Sequence, residues 1–156
     1  MVIIFTGPIG SGKTTKLENW VNGRSDTGGI LMPVRSGGRY FQQIRSGEEY
    51  PAEADMGDDN VIVIGKYRFS ADAFIRANSE IMKGFGKYNN IVIDEIGPLE
   101  LQGKGFAPSL FNIVNNKRRM SQTDIFLVIR EGLVKDIVEY FKITDFEVIF
   151  SLTDFD

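Results

Sequence analysis

Residues Gly7-Pro8-Ile9-Gly10-Ser11-Gly12-Lys13-Thr14 set glycines, a lysine and a hydroxyl in the spacing G-x-x-x-x-G-K-[ST]. That combination can grip a chain of phosphates. Glycines carry no Cβ, so backbone N–H groups can close around phosphate oxygens at the mouth of a helix. Lys13 supplies a fixed positive charge for the β and γ phosphates, and the Thr14 hydroxyl is a hard oxygen ligand of the kind Mg²⁺ takes. The expected nucleotide cradle is Gly7, Pro8, Ile9, Gly10, Ser11, Gly12, Lys13, Thr14 and Thr15.

A second group lies far along the chain, where Ile91-Val92-Ile93 runs into Asp94 and Glu95. An aspartate ending a buried strand is placed to hold Mg²⁺ through its water shell beside such a cradle, so Thr14 and Asp94 are the expected metal residues. Glu95, one position on, is expected to turn to the other side of the strand end and to orient water on the γ phosphate. Arg130 directly follows Ile125 to Ile129 and is expected at the carboxyl edge of the sheet, as a sensor of the γ phosphate or a stabiliser of transition-state charge. The expected catalytic set is therefore Lys13, Glu95 and Arg130. Arg35 and Arg39 flank a glycine turn and serve either as surface charges of a hairpin or as a lid over the phosphates; the first reading is the simpler. Lys117, Arg118 and Arg119 are read as the basic end of a helix, complementing its dipole.

These residues need a frame that brings them to one edge. Short continuous apolar runs at Val2 to Phe5, Ile91 to Ile93, Ile125 to Ile129 and Val148 to Phe150 fit strands buried on both faces. Helical patterns lie between them: Leu17, Trp20 and Val21; Phe74, Ala77, Ile81 and Met82 after a capping Ser70 and before Gly84; Phe106, Leu110, Ile113 and Val114; and Leu133 to Phe141. The alternation predicts an α/β domain with a mostly parallel central sheet between helix layers. From about residue 24 to 67 the rhythm breaks into glycines and polar turns, including Gly28-Gly29. This stretch is read as an inserted β element in which Ile30 to Val34 pairs with Arg39 to Ile44, with Val61 to Ile64 as a further strand.

Composition narrows the chemistry. The 156 residues are 42% hydrophobic and 25% charged, enough for one domain spanning 1–156 with a full core. With no cysteine and no histidine, thiol nucleophiles, disulfides, histidine bases and ordinary zinc sites are excluded. A net charge of -3 gives no indication of nucleic acid as a partner, and no run is long enough to span a membrane. The start of the chain reads as a core strand and not a leader, so a cytoplasmic setting is expected. The protein partner is left open.

With the phosphate loop first, Asp94-Glu95-Ile96-Gly97-Pro98-Leu99-Glu100-Leu101 in the middle and Val34-Arg35-Ser36-Gly37-Gly38-Arg39 between, the chain resembles the small P-loop nucleoside-triphosphatase family found in thermophiles, other bacteria and animals. The resemblance implies a three-layer P-loop fold with an inserted β-hairpin element, and Ile125 to Ile129 lying beside the P-loop strand. It also implies Mg²⁺-dependent hydrolysis of ATP, GTP or other nucleoside triphosphates with little base selectivity. The chain departs from the family pattern at Ile30-Leu31-Met32-Pro33, which is shorter and more apolar, and at Phe41-Gln42-Gln43. A small-molecule or nucleoside kinase using the same loop, and a nucleotide-dependent switch, are the alternative readings.

Overall fold

Strand residues alternate between faces, and in a sheet covered on both sides each alternate set must meet its own helix layer. The computed structural model describes residues 1–155 and follows that rule; Asp156, the last residue of the expected domain, lies outside them. Strands β1 (Val2–Phe5), β8 (Asn90–Ile96) and β9 (Asp124–Ile129) run parallel, with β9 between the other two. Val2, Ile4, Ile91, Ile93, Ile125, Leu127 and Ile129 join one core with the helices α2 (Ala71–Gly84), α4 (Ala107–Val114) and α6 (Val134–Phe141). Ile3, Phe5, Val92, Phe126 and Val128 join the other, against Leu17 of α1 (Lys13–Val21). Three layers result. Trp20 packs its ring 4.8 Å from that of Phe126, in the second core as expected of it.

The stretch expected as an inserted β element divides. Thr27–Leu31 is β2, a fully buried strand parallel to β8 and so part of the central sheet. Gly28 and Gly29, expected as a turn, lie inside it. A Cβ at Gly29 would come within 2.0 Å of the Val92 carbonyl oxygen, and one at Gly28 within 2.6 Å of the Tyr88 ring, so these glycines permit close approach of strands and not chain reversal. The hairpin itself forms in the expected register. Ile30 pairs with Gln43 and Leu31 with Gln42, joining β2 to β4 (Gly38–Gln43), and Val34 pairs with Arg39, joining the short β3 (Val34–Arg35) to β4. Strand β5 (Glu49–Pro51) extends it beside β4. A separate hairpin follows, with β6 (Val61–Ile64) and β7 (Tyr67–Ser70) antiparallel across Gly65-Lys66. The second strand was not foreseen, because Tyr67-Arg68-Phe69 is too short a run to stand out.

Two other elements differ from expectation. The last strand, β10 (Phe146–Ile149), pairs with β1 at the sheet edge, and Phe146, Glu147 and Val148 are exposed, with only Ile149 buried. An apolar run alone does not separate an edge strand from a central one. Lys117, Arg118 and Arg119 form their own turn, α5 (Lys117–Met120), capped by Asn116, and do not end α4. Ser70 does cap α2 by accepting from the Ala73 N–H, and Gly84 is its last residue.

Candidate functional site

The phosphate loop sits where β1 gives way to α1. Gly10 and Gly12 both take positive φ, 75° and 76°, which turns the loop into the first turn of the helix. Lys13 folds back over the loop, its Nζ donating to the carbonyl oxygens of Gly7 at 3.1 Å and Pro8 at 3.0 Å and to the Ser11 hydroxyl at 3.3 Å. These contacts hold the ammonium against the loop, and Lys13 lines the cavity beside it.

Residues 80 apart in sequence then meet. The Thr14 hydroxyl donates to Asp94 Oδ2 at 2.8 Å, and the Met32 N–H, just past the end of β2, donates to the same oxygen at 3.0 Å. Asp94 is wholly buried. Burial pushes its carboxyl up to about 6, against the opposing pull of these two donors. Its other oxygen, Oδ1, is buried with no hydrogen-bond partner. An orphaned carboxylate oxygen of this kind calls for a donor or a cation. With the hard hydroxyl of Thr14 beside it, the pair fits Mg²⁺, which takes few protein ligands and completes its shell with waters and phosphate oxygens. Among the described residues no cluster of three or more acidic ligands forms a site that would hold a metal without such help.

Glu95 leaves the strand differently. Its φ is +64°, and the pairing of β8 with β9 slips between Ile93 and Ile96, so consecutive acids diverge: Asp94 is buried and Glu95 is 44% exposed by its side chain. Arg39 Nη1 donates to Glu95 Oε2 at 2.7 Å while its guanidinium lies over the Tyr67 ring at 5.2 Å. Burial opposes the Arg39 charge, but Glu95 and Tyr67 more than offset it, and the guanidinium is held above its ordinary range.

Lys13, Arg39, Glu95 and Arg130 all line one cavity of about 450 Å³. Arg130 therefore stands at the sheet edge where it was expected, its backbone N–H donating to the Ile96 carbonyl at 3.3 Å. Arg35 does not join them. It pairs with Glu18 at 2.7 Å and Glu49 at 3.1 Å outside this cavity, so the two arginines of the turn divide, one on the surface and one in the site.

Sequence reasoning missed three contributors. Lys66 and Tyr67, at the turn of the β6–β7 hairpin, line the cavity. Glu100 is 2% exposed and clamps the loop after Glu95: Oε1 accepts from Gly97 N–H at 2.8 Å and Oε2 from Phe106 N–H at 2.9 Å. Its sequence signal was an acid three residues after a loop glycine, the spacing of a reciprocal cap.

A phosphate loop between the first strand and helix, an acid-bearing strand one place removed, and a further strand between them define a P-loop nucleoside-triphosphatase fold. A family model described as NTPase matches residues 2–155. Curated relatives are the nucleoside-triphosphatases THEP1 of Methanopyrus kandleri, 29% identical over 119 residues, and of Thermococcus kodakarensis, 30% identical over 128. The alignments cover 69% and 74% of this chain and 64% and 71% of those proteins, so the chain spans a little under two thirds of the first. The crystal structure of THEP1 from the hyperthermophile Aquifex aeolicus superposes with a TM-score of 0.71 at 22% identity, covering 96% of this chain and 89% of that one, which shows a shared fold. The chain belongs to this family of small P-loop nucleoside-triphosphatases.

Proposed function

We propose that the chain hydrolyses nucleoside triphosphates to diphosphate and phosphate in a Mg²⁺-dependent reaction with broad base specificity. The observation that carries this reading is the junction of Thr14 with the buried Asp94, 2.8 Å apart, beside an exposed Glu95 that opens onto the cavity with Lys13. Backbone amides of the loop and Lys13 bind the triphosphate, and Lys13 offsets charge on the β and γ phosphates. Thr14 and Asp94 would hold Mg²⁺, which when bound neutralises phosphate charge and fixes the oxygens in place. Glu95 orients a water molecule and accepts its proton as the water oxygen bonds to the γ phosphorus and the bond to the β–γ bridging oxygen breaks. Arg130 supplies positive charge where negative charge grows. Broad specificity follows from a cradle that grips phosphate and leaves the base outside it.

The test is phosphate release from ATP, GTP, CTP and UTP, with Mg²⁺ present and after chelation. Release from all four within about tenfold of one another, lost on chelation, is expected, since tenfold amounts to only about 1.4 kcal/mol of base discrimination. A strong preference for one base would defeat the breadth of the reading, and release that survives chelation would defeat the metal.

A further inference from the structure

A net charge of -3 conceals how the charges are sorted. Four segments, 19–25, 44–47, 83–89 and 115–123, hold seven of the eighteen Lys and Arg and none of the twenty-one Asp and Glu. The seven are Arg24, Arg45, Lys83, Lys87, Lys117, Arg118 and Arg119. The fold brings these segments together. Three lead into β2, β8 and β9 at the amino edge of the central sheet, and the fourth is the turn between β4 and β5. Arg45 Nη1 donates to the Arg24 carbonyl at 3.1 Å, and its guanidinium lies 5.4 Å from the centre of the Tyr88 ring. Thr123 Oγ1 donates to the Tyr88 carbonyl at 2.8 Å and accepts from Gly86 N–H at 3.1 Å. The stem of Arg119 runs against Gly86, where a Cβ would lie 3.1 Å from its Cδ. The phosphate loop follows the carboxyl end of β1, so this basic edge lies at the other end of the parallel strands.

We propose that this edge binds the phosphate backbone of single-stranded RNA, on a surface separate from the nucleotide site. Seven cations with no acid among them attract phosphates, and the acids gathered elsewhere turn a polyanion away from the rest of the surface. Six of the seven are exposed and Arg24 is partly so. The acids that border these segments are already engaged: Asn90 Nδ2 donates to Asp26 at 3.3 Å, and the N-terminal ammonium pairs with Asp124 at 3.1 Å.

The same surface selects among polyanions. A membrane-binding face calls for large apolar side chains that insert between lipids, and among the described residues none of the exposed ones lies in these segments. Concavity favours a single strand over a duplex. Arg24 and Arg45 line a cleft of about 650 Å³ between the end of α1 and the β4–β5 turn. Arg35 lines it too, paired at 2.7 Å with Glu18, the one acid of its lining. An unstacked base can enter such a cleft, whereas a duplex keeps its bases paired. Arg24 is held 4.2 Å from the centre of the Trp20 ring, so it and Arg45 are partly ordered before a ligand arrives. Asn22, Asn89 and Gln122 are exposed on the same edge. A carboxamide both donates and accepts, as does the ribose 2′-hydroxyl that DNA lacks.

The experiment titrates the intact chain into a fluorescein-labelled oligouridylate of about 16 nucleotides, the upper end of single-strand site sizes, and follows anisotropy at about 50 and 200 mM salt. Binding with a Kd between about 10⁻⁴ and 10⁻⁶ M is expected, with a slope of log affinity against log salt of about -0.7 for each phosphate neutralised. Arg45→Gln, Lys87→Gln and Arg119→Gln combined should weaken binding about tenfold or more and make that slope shallower by about 2, at an unchanged urea midpoint. Lys104→Gln with Lys135→Gln, both outside the four segments, should change neither quantity. Should the triple variant fail to fold, Lys117→Gln with Arg118→Gln on the exposed turn carries the test, with a slope shallower by about 1.4. No binding at the lower salt, or a slope in the edge variants equal to the parent's, would overturn the proposal. Equal affinity for oligodeoxyuridylate of the same length would overturn the choice of RNA, and tighter binding to phosphatidylserine vesicles than to the oligouridylate would make the edge a membrane face instead.

Discussion

Arg39 Nη1 and Glu95 Oε2 lie 2.7 Å apart, joining a strand of the inserted hairpin to the residue that follows the buried aspartate of the central sheet. The pair is half-open to solvent, so its worth to folding is small; its position is what matters. Glu95 sits at a positive φ that a non-glycine residue adopts only when its surroundings hold it, and Arg39, itself laid over Tyr67, holds its side chain.

Arg39→Ala is expected to leave unfolding free energy within about 1 kcal/mol of the parent, as for exposed ion pairs. Turnover should fall about tenfold to a hundredfold, with KM for ATP shifting less than about threefold, because Arg39 orients Glu95 more than it binds substrate. Steady-state kinetics beside urea unfolding separate these outcomes. Equal losses in kcat and affinity would make Arg39 a phosphate contact instead.

Gly29→Ala tests the close approach of β2 and β8. A Cβ would meet Val92 backbone atoms at 2.0, 2.7 and 2.9 Å from a residue with φ of 111°. Backbone cannot swing aside as a side chain can, so the variant should lose about 3 kcal/mol or more of stability or fail to accumulate folded protein. A urea midpoint equal to the parent's would contradict the register Gly29 to Val92.

Such details mark what the sequence could and could not show. The loop from Gly7, the apolar runs of β1 and β9, and Ser70 before α2 were legible because each is a local pattern with a local cause. Asp94 was legible as the acid that ends the run Ile91 to Ile93, whereas Val61 to Ile64 leads into Gly65-Lys66 and Ile125 to Ile129 into Arg130. The role of Gly28-Gly29 was not, because a glycine pair reads alike whether it reverses a chain or admits a neighbouring strand. Nor was the parting of Arg35 from Arg39. Both flank the same turn, and only the partners Glu18, Glu49 and Glu95, brought in from elsewhere, decide between them.

Glu100 should make stability depend on pH. Burial holds its carboxyl up to about 7, against the two backbone donors that favour the charged form, from an ordinary 4.5. Between those values the unfolded chain has released the proton and the folded chain keeps it, so the unfolded state binds fewer protons and stability falls as pH rises. The contribution is fully present below about 4.5 and gone above about 7, a loss of about 3 kcal/mol at 1.36 kcal/mol per unit. Asp94 acts with the same sign up to about 6, so the diagnostic window is pH 6 to 7. Glu100→Gln should flatten unfolding free energy across that window while lowering it overall by about 1 to 3 kcal/mol, since its amide cannot accept from both Gly97 and Phe106. A slope that persists in the variant would assign the titration to another group.

Glu95→Gln asks whether this carboxylate directs the nucleophile. The amide keeps the size of the side chain and can still accept from Arg39, so the loop and the cavity should be retained. It cannot take a proton. Positioned acid–base groups contribute about 10² to 10⁴ in rate, and single-turnover hydrolysis of ATP should fall within that range. Affinity for ATP and Mg²⁺, followed by equilibrium titration, should change little, because the loop amides, Lys13, Thr14 and Asp94 are the groups proposed to bind them. A rate within about threefold of the parent would place the base elsewhere, since that is far below the loss expected of one. Should affinity collapse along with the rate, Glu95 would instead be holding the metal, and the buried Oδ1 of Asp94 would no longer be the position around which that metal is built.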